Sequence, residues 1–211
     1  MNNYVITIGR QVGSGGSVLG KAIAEYFGFS YIDKELLKKA AEELHISEDD
    51  IENLDEQEFR AGRSLFQSSV YNLPYMTDAW IVPTGANLYQ IESELIRQAA
   101  DEGPCVIVGR CGSDLFRGYK KHVSLFLHAD EDERLERLEN TLDFSHEKSL
   151  KMIEKADKAR ARYYNTYTGR KWLDLTGYDL CIDTGKLTDE QVKEVAVNYI
   201  CTRFPELKNR L

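Results

Sequence analysis

Gly9-Arg10-Gln11-Val12-Gly13-Ser14-Gly15-Gly16-Ser17 lies between a short β-rich run, Tyr4-Val5-Ile6-Thr7-Ile8, and a stretch from Val18 to Phe27 in which Leu19, Ile23 and Phe27 recur at helical spacing. The unit reads strand, glycine-rich loop, helix. Glycines let consecutive backbone N–H groups turn inward, and the helix that follows points its unpaired first-turn amides and positive dipole end at the same place. That combination suits a phosphate. Against the pattern GxxxxGK[ST], Gly15 and Ser17 take the second glycine and the Ser/Thr, while Arg10 stands where the first glycine belongs and Gly16 where the lysine belongs. The cation that usually bridges the phosphates is therefore missing from its position. Arg10 and Lys21 are the candidate replacements, Lys21 lying one helical turn beyond Ser17 on the same side. The Ser17 hydroxyl is the candidate Mg²⁺ ligand. Close packing of helix on strand is the alternative use of such a turn.

Working outward, the strand and helix signals alternate. Phe29–Ile32 reads as a strand, Lys34–Leu44 as a helix, and Ala86–Ala100 as a helix through Leu88, Ile91, Leu95 and Ala99. Cys105–Val108, Val123–Leu127 and Tyr178–Ile182 read as strands, and a last helix runs from about Thr188 to Cys201, with Thr188 and Gln191 spaced as a capping box. Five strands separated by helices predict an α/β fold with a mostly parallel, doubly wound sheet. The stretch 57–87, with Gly62, Pro74, Pro83, Gly85 and the aromatics Phe66, Tyr71, Tyr75 and Trp80, is the least regular. It reads as a loop or partner-binding excursion, and 66–80 is a candidate interface of a homo-oligomer. No internal repeat or low-complexity tract is present.

A chain of 211 residues with 42% hydrophobic and 29% charged residues suits one globular α/β domain rather than a disordered chain. Its formal charge of −8 argues against a protein that coats nucleic acid. The distribution says more than the sum. Residues 42–58 carry nine acids and no Lys or Arg, whereas 148–171 carry eight basic side chains against Glu154 and Asp157. Lys151, Lys155, Lys158 and Arg162 step by four, three and four, forming a cationic helical stripe beside an apolar one of Met152, Ala156, Ala159 and Tyr163. A solvated face is the plain reading of such a stripe, and Lys151 is assigned to it. For Lys155, Lys158, Arg160 and Arg162, phosphate contact is the expectation. Base-stacking aromatics interleaved with the charge are absent, so no nucleic-acid partner is expected. Neither a secretory leader nor a membrane span is evident, and the expectation is a cytoplasmic protein with no membrane partner. Cys105, Cys111, Cys181 and Cys201 lack CxxC spacing and read as reduced structural residues, while His45, His122, His128 and His146 form no zinc pattern.

Four segments, taken in order, carry a resemblance. ITIGRQVGSGG before a helix, VIVGRCG over Val106–Gly112, Asp157-Lys158-Ala159-Arg160-Ala161-Arg162-Tyr163-Tyr164, and YDLCIDTGKLTDEQV over Tyr178–Val192 together resemble the cytidylate kinase-like proteins. These are relatives of bacterial cytidylate kinase among the P-loop nucleoside monophosphate kinases, and the likeness spans nearly the whole chain. It implies a P-loop NTPase-type three-layer fold with strand order 2-3-1-4-5 and a helical lid, here 142–171, within a single domain 1–211 whose segment 34–100 is the monophosphate-binding insertion. It also implies phosphoryl transfer from ATP with Mg²⁺. Gly13, Ser14, Gly15, Gly16 and Ser17 match the family's phosphate loop. Asp33, just after the second strand, falls where the monophosphate-binding segment begins, and a helix N-cap is its alternative role. Arg110 matches the arginine of the family's Gly-Arg motif at the C-terminal edge of the third strand, where a guanidinium can grip phosphate oxygens in bidentate fashion. Arg160 and Arg162 are the expected lid arginines on the transferring group, because this chemistry needs cations around the phosphoryl and little covalent help.

The chain departs from bacterial cytidylate kinases, which typically read Asp-Gly-Arg-Asp where it has Val108-Gly109-Arg110-Cys111. Both flanking carboxylates are absent. Three functions remain open at this level: a nucleoside monophosphate kinase with CMP or dCMP as first acceptor, a nucleotide- or anion-binding module without turnover, and a kinase of another small phosphorylated or phosphoryl-accepting molecule.

Overall fold

The chain is described from a computed structural model covering residues 2–33, 85–142 and 144–210. The acidic block 42–58, the helix expected over Lys34–Leu44 and the irregular stretch up to residue 84 lie outside the described residues.

β1 (Val5–Arg10) is apolar on both of its faces because it is the middle strand of the sheet. It pairs in parallel with β3 (Cys105–Val108) on one side and β4 (His122–His128) on the other. β2 (Ser30–Ile32) and β5 (Leu180–Asp183) form the two edges, giving the order β2-β3-β1-β4-β5 with every pairing parallel. This is the expected topology. Alternate residues divide between two helical layers, as a strand's period of two requires. Ile6, Ile8, Val106 and Val108 pack against Leu19, Ile23 and Phe27 of α1 (Gly16–Phe27) and against Val192, Ala196 and Ile200 of α6 (Asp189–Arg203). Val5, Cys105 and Ile107 pack on the opposite face with Ile96 and Ala100 of α2 (Gly85–Glu102) and with Phe116 after α3 (Gly112–Leu115).

Register decides where a ligand can sit. Ile8 is opposite Val108, whereas Gly9 and Arg10 run on beside Phe126 and Leu127 of β4. The chain leaves β1 toward β2 on one side and leaves β3 for β4 on the other, so a crevice opens outside the carboxyl ends of β1 and β3. Gly9–Ser17 and Gly109-Arg110-Cys111 both emerge at that crevice.

Two further helices, α4 (Glu131–Leu142) and α5 (His146–Thr168), stand over the same end. Glu131, Asp132 and Glu133 in the first turn of α4 complement its dipole, and Ser145 caps α5 by accepting from the Lys148 N–H. Val12 of the loop is buried among Leu135, Leu138 and Ile153, so the loop and the helix pair share one apolar cluster. Both bonds of the Thr188–Gln191 capping box are formed. Boundaries shift where loops dictate them. α1 begins at Gly16 rather than Val18 because left-handed Gly15 is its N-cap, and β5 begins at Leu180 because a 3₁₀ turn, Leu175–Gly177, precedes it. No helix among the described residues is long and apolar enough to cross a membrane. The four cysteines are free thiols, as expected of structural residues.

Candidate functional site

The loop is stapled from within. Gly13 and Gly15 adopt φ of 79° and 81°, a region costly for residues with a Cβ. Ser14 is 1% exposed, and its hydroxyl donates to the Gln11 carbonyl at 2.9 Å and to the Leu127 carbonyl at 3.2 Å. Its own carbonyl accepts from Thr184 Oγ1 at 3.1 Å. Ser14 therefore serves the loop with its side chain, and any contribution to an anion is made by its backbone. Gly15 brings no side-chain cap to α1, and no acid stands in the first turn, so neither a capping side chain nor a carboxylate competes for the leading amides there.

Arg10 occupies the space that a lysine at position 16 would need. A Cβ built on Gly16 would lie 2.6 Å from Arg10 Cγ and 3.0 Å from its Cβ, so the arginine stem lies across the first residue of α1. Its guanidinium reaches Gly109, where an added Cβ would collide with Nη1. Arg10 thus spans from the glycine-rich loop to the end of β3. Its pKa is pushed down to about 9, by burial first and then by the charges of Arg160 and Arg110, and it remains a cation at neutral pH. Three guanidiniums from β1, the β3 edge and α5 converge here. Arg137 of α4 covers another loop glycine, with its Nη1 2.6 Å from a Cβ built on Gly15 while it pairs with Asp189 at 2.8 Å.

α5 grips the loop by its backbone. Asp157 Oδ1 accepts from the Val12 N–H at 2.8 Å, and Arg134 Nη1 donates to Asp157 Oδ2 at 2.5 Å and to the Val12 carbonyl at 3.4 Å. One loop residue is held at both its N–H and its C=O by an acid and a base that pair with each other. Arg160 Nη1 donates to the Arg10 carbonyl at 3.1 Å, and burial lowers its pKa.

Arg110 sits on unusual backbone. Gly109, Arg110 and Cys111 take φ of 84°, 51° and 55°, three left-handed residues in succession. For the two with a Cβ this conformation costs about 1–2 kcal/mol each, a strain expected where surrounding contacts over-determine a site. Arg110 Nη1 lies 3.3 Å from Glu92 Oε1, and its guanidinium faces the Tyr163 ring at 5.5 Å.

The remaining expected residues fall into two groups. Ser17, exposed at the start of α1, and Asp33 both neighbour the Tyr31 hydroxyl, which is shielded from solvent and has no well-formed hydrogen bond. Burial above all raises the Tyr31 pKa. Lys21 is exposed, with Nζ 5.8 Å from the Tyr31 ring centre, on the outer side of this group. Lys155, Lys158 and Arg162 lie on exposed positions of α5, and Lys158 pairs with Glu154 at 2.6 Å, as Lys151 does with Glu147. The structure brings Arg10, Arg110 and Arg160 together and leaves that stripe on the solvent side. Sequence reasoning missed Glu92, Arg134 and Arg137 entirely and noted Asp157 only within a motif and as an acid among the basic residues of 148–171. The signal available for Arg134 and Arg137 was their i,i+3 spacing in an otherwise acidic helix. Nothing local marked Glu92.

A parallel sheet in this order, with a glycine loop leading from β1 into a helix and two helices seated over that loop, defines the P-loop kinase type of fold. The sequence matches the cytidylate kinase-like family over residues 5–186, and the chain belongs to that family. It is 22% identical over 198 residues to cytidylate kinase of Methanopyrus kandleri, covering 90% of this chain and 89% of the relative. It is 27% identical over 193 residues to cytidylate kinase of Pyrococcus horikoshii, covering 90% and 85%. Among solved structures, a protein from Eubacterium ventriosum superposes with a TM-score of 0.70 at 26% identity, covering 94% of this chain and 98% of that one. A gluconokinase from Sinorhizobium meliloti shares the fold at a TM-score of 0.58 and 15% identity, covering 97% and 95%.

Proposed function

We propose that the protein transfers the γ-phosphoryl group of ATP to a nucleoside monophosphate, with CMP or dCMP as the first acceptor to test. The observation that carries this reading is Arg10 lying across Gly16 toward Gly109, which sets a cation beside the loop from the opposite direction to the missing lysine. Family membership over residues 5–186 supports it. In this reading the backbone of Gly13–Ser17 holds the donor phosphates, with Arg10 replacing the lysine and Lys21 outside the contact. Arg110, with Asp33, holds the acceptor, and Arg160 faces the transferring group. Lys155, Lys158 and Arg162 add positive field from the exposed side of the 142–171 lid, and 34–100 forms the acceptor segment.

Mg²⁺ fits the donors that are present. Ser17 offers a hydroxyl oxygen, the donor type a hard divalent cation takes, and the shielded Tyr31 hydroxyl marks a polar spot beside it. When bound with ATP the ion neutralises charge on the β- and γ-phosphates. The chain's own residues do the rest: three arginines converge, and α5 seated on Val12 keeps water from the loop rim.

A second reading, a nucleotide-binding module without turnover, is favoured by Val108 and Cys111 in place of carboxylates at the Gly-Arg motif. A coupled assay with ATP and Mg²⁺ across the common ribo- and deoxyribonucleoside monophosphates, with small sugar and hydroxy-acid acceptors alongside, separates the readings. Turnover of a monophosphate is the expected result. Turnover only of a non-nucleotide acceptor moves the substrate class, and ATP binding without any turnover leaves the second reading standing.

A further inference from the structure

Glu92 is 4% exposed, and among the described residues it is the only acid in the buried set. A carboxylate removed from water needs charged and hydrogen-bonding partners. Glu92 of α2 divides its two oxygens. Oε1 faces Arg110 Nη1 at 3.3 Å, and Oε2 accepts from the Tyr163 hydroxyl at 2.7 Å. The Tyr163 ring in turn lies 5.5 Å from Arg110 Cζ, and the Arg110 side chain is 8% exposed. Three side chains, from α2, the end of β3 and α5, close a triangle around one guanidinium. Tyr89, one turn before Glu92, backs it by stacking on Tyr167 at 4.5 Å and meeting Tyr163 edge-on at 6.2 Å.

The triangle is built on the left-handed backbone at Arg110 and Cys111. A conformation that is unfavourable on its own persists where side-chain contacts hold it. A guanidinium aimed by a carboxylate on one edge and an aromatic ring on its face has lost most of its rotational freedom before any ligand arrives, which lowers the entropic cost of gripping a phosphate monoester. Because one corner is on α5, the aim of Arg110 depends on α5 being seated.

We propose that Glu92 and Tyr163 are positioning residues for the acceptor phosphate, acting through Arg110 and coupling its orientation to the seating of α5. This rests on the kinase reading above. The test compares wild type with Glu92→Gln and Tyr163→Phe, the latter keeping the ring and removing only the hydroxyl. Two readouts are needed. In ¹⁵N arginine side-chain spectra of the unliganded protein, with Arg110 assigned from Arg110→Lys, wild type should show restrained Nη signals that average by rotation in both variants. In kinetics, the KM for the monophosphate should rise about tenfold in each variant while kcat and the KM for ATP stay within about threefold. Arg110 signals that remain restrained in both variants overturn the proposal. So does a parallel fall of all kinetic parameters with the melting temperature, since that is a purely structural effect. If wild type turns over no monophosphate, the kinase reading fails and the spectra alone decide whether Glu92 and Tyr163 position Arg110.

Discussion

At the scale of single residues, Arg10 and Gly16 behave as one exchanged pair. The stem of Arg10 fills the space above Gly16, so position 16 does not accept a lysine while Arg10 stays as it is. Gly16→Lys alone should weaken ATP binding about tenfold or more by colliding with Arg10, and Arg10→Gly combined with Gly16→Lys should recover most of the loss. Calorimetric titration of the single and double variants reads this directly, and a single variant that binds as well as wild type removes the pair. His122 offers a test of stability. It is 8% exposed, its Nε2 lies 2.7 Å from Thr7 Oγ1, and burial above all pushes its pKa down to about 4. The neutral ring is favoured in the folded state, so the unfolded chain binds the extra proton between its ordinary pKa and the folded one. Stability from this group is complete above pH 6.5 and is lost on acidification toward pH 4, to a total of about 3 kcal/mol. Unfolding midpoints followed across that window should fall more steeply in wild type than in His122→Gln, and equal slopes would contradict the assignment.

At the scale of elements, the seating of α5 on the loop rests on Asp157 and Arg134 more than on the cationic stripe. The stripe's pairs, Lys151–Glu147 and Lys158–Glu154, are exposed i,i+4 contacts that water and salt screen, so they contribute little. Arg134 and Asp157 are 8% and 17% exposed, and removing one leaves the other charge poorly compensated. Asp157→Ala should cost about 3 kcal/mol in denaturant unfolding and should raise hydrogen exchange at the Val12 amide, which Asp157 accepts. Unchanged exchange at Val12 would show that the clamp does not hold the loop. The difference between stripe and clamp explains what was legible in the sequence. Periodicity places Lys155 and Lys158 on one face of a helix but does not say what lies opposite that face. Asp157 reaches a partner 145 residues away, and Tyr163 one 71 residues away. Such separations carry no local pattern.

At the scale of the whole molecule, the fold was legible because its signals are local and repeated. Each strand of the parallel sheet is a short apolar run, and the first opens into glycines that mark the ligand edge. The position of the crevice follows from strand order alone. The details of the site were not legible, because Glu92, Arg134 and Arg137 acquire their roles only when α2 and α4 fold over the strand ends. The net charge of −8 likewise conceals a site where Arg10, Arg110 and Arg160 meet, with Glu92 beside Arg110 and Asp157 beside Arg160. The central claim is that this arrangement transfers a phosphoryl group with Arg10 in place of the loop lysine. The most direct measurement is transfer of the labelled γ-phosphate of ATP to CMP by wild type and by Arg10→Ala under identical conditions. Transfer by wild type that falls about 100-fold or more without Arg10, with CMP still bound, is the predicted result. Wild type that labels neither CMP nor any other monophosphate, or a variant as active as wild type, would contradict the claim.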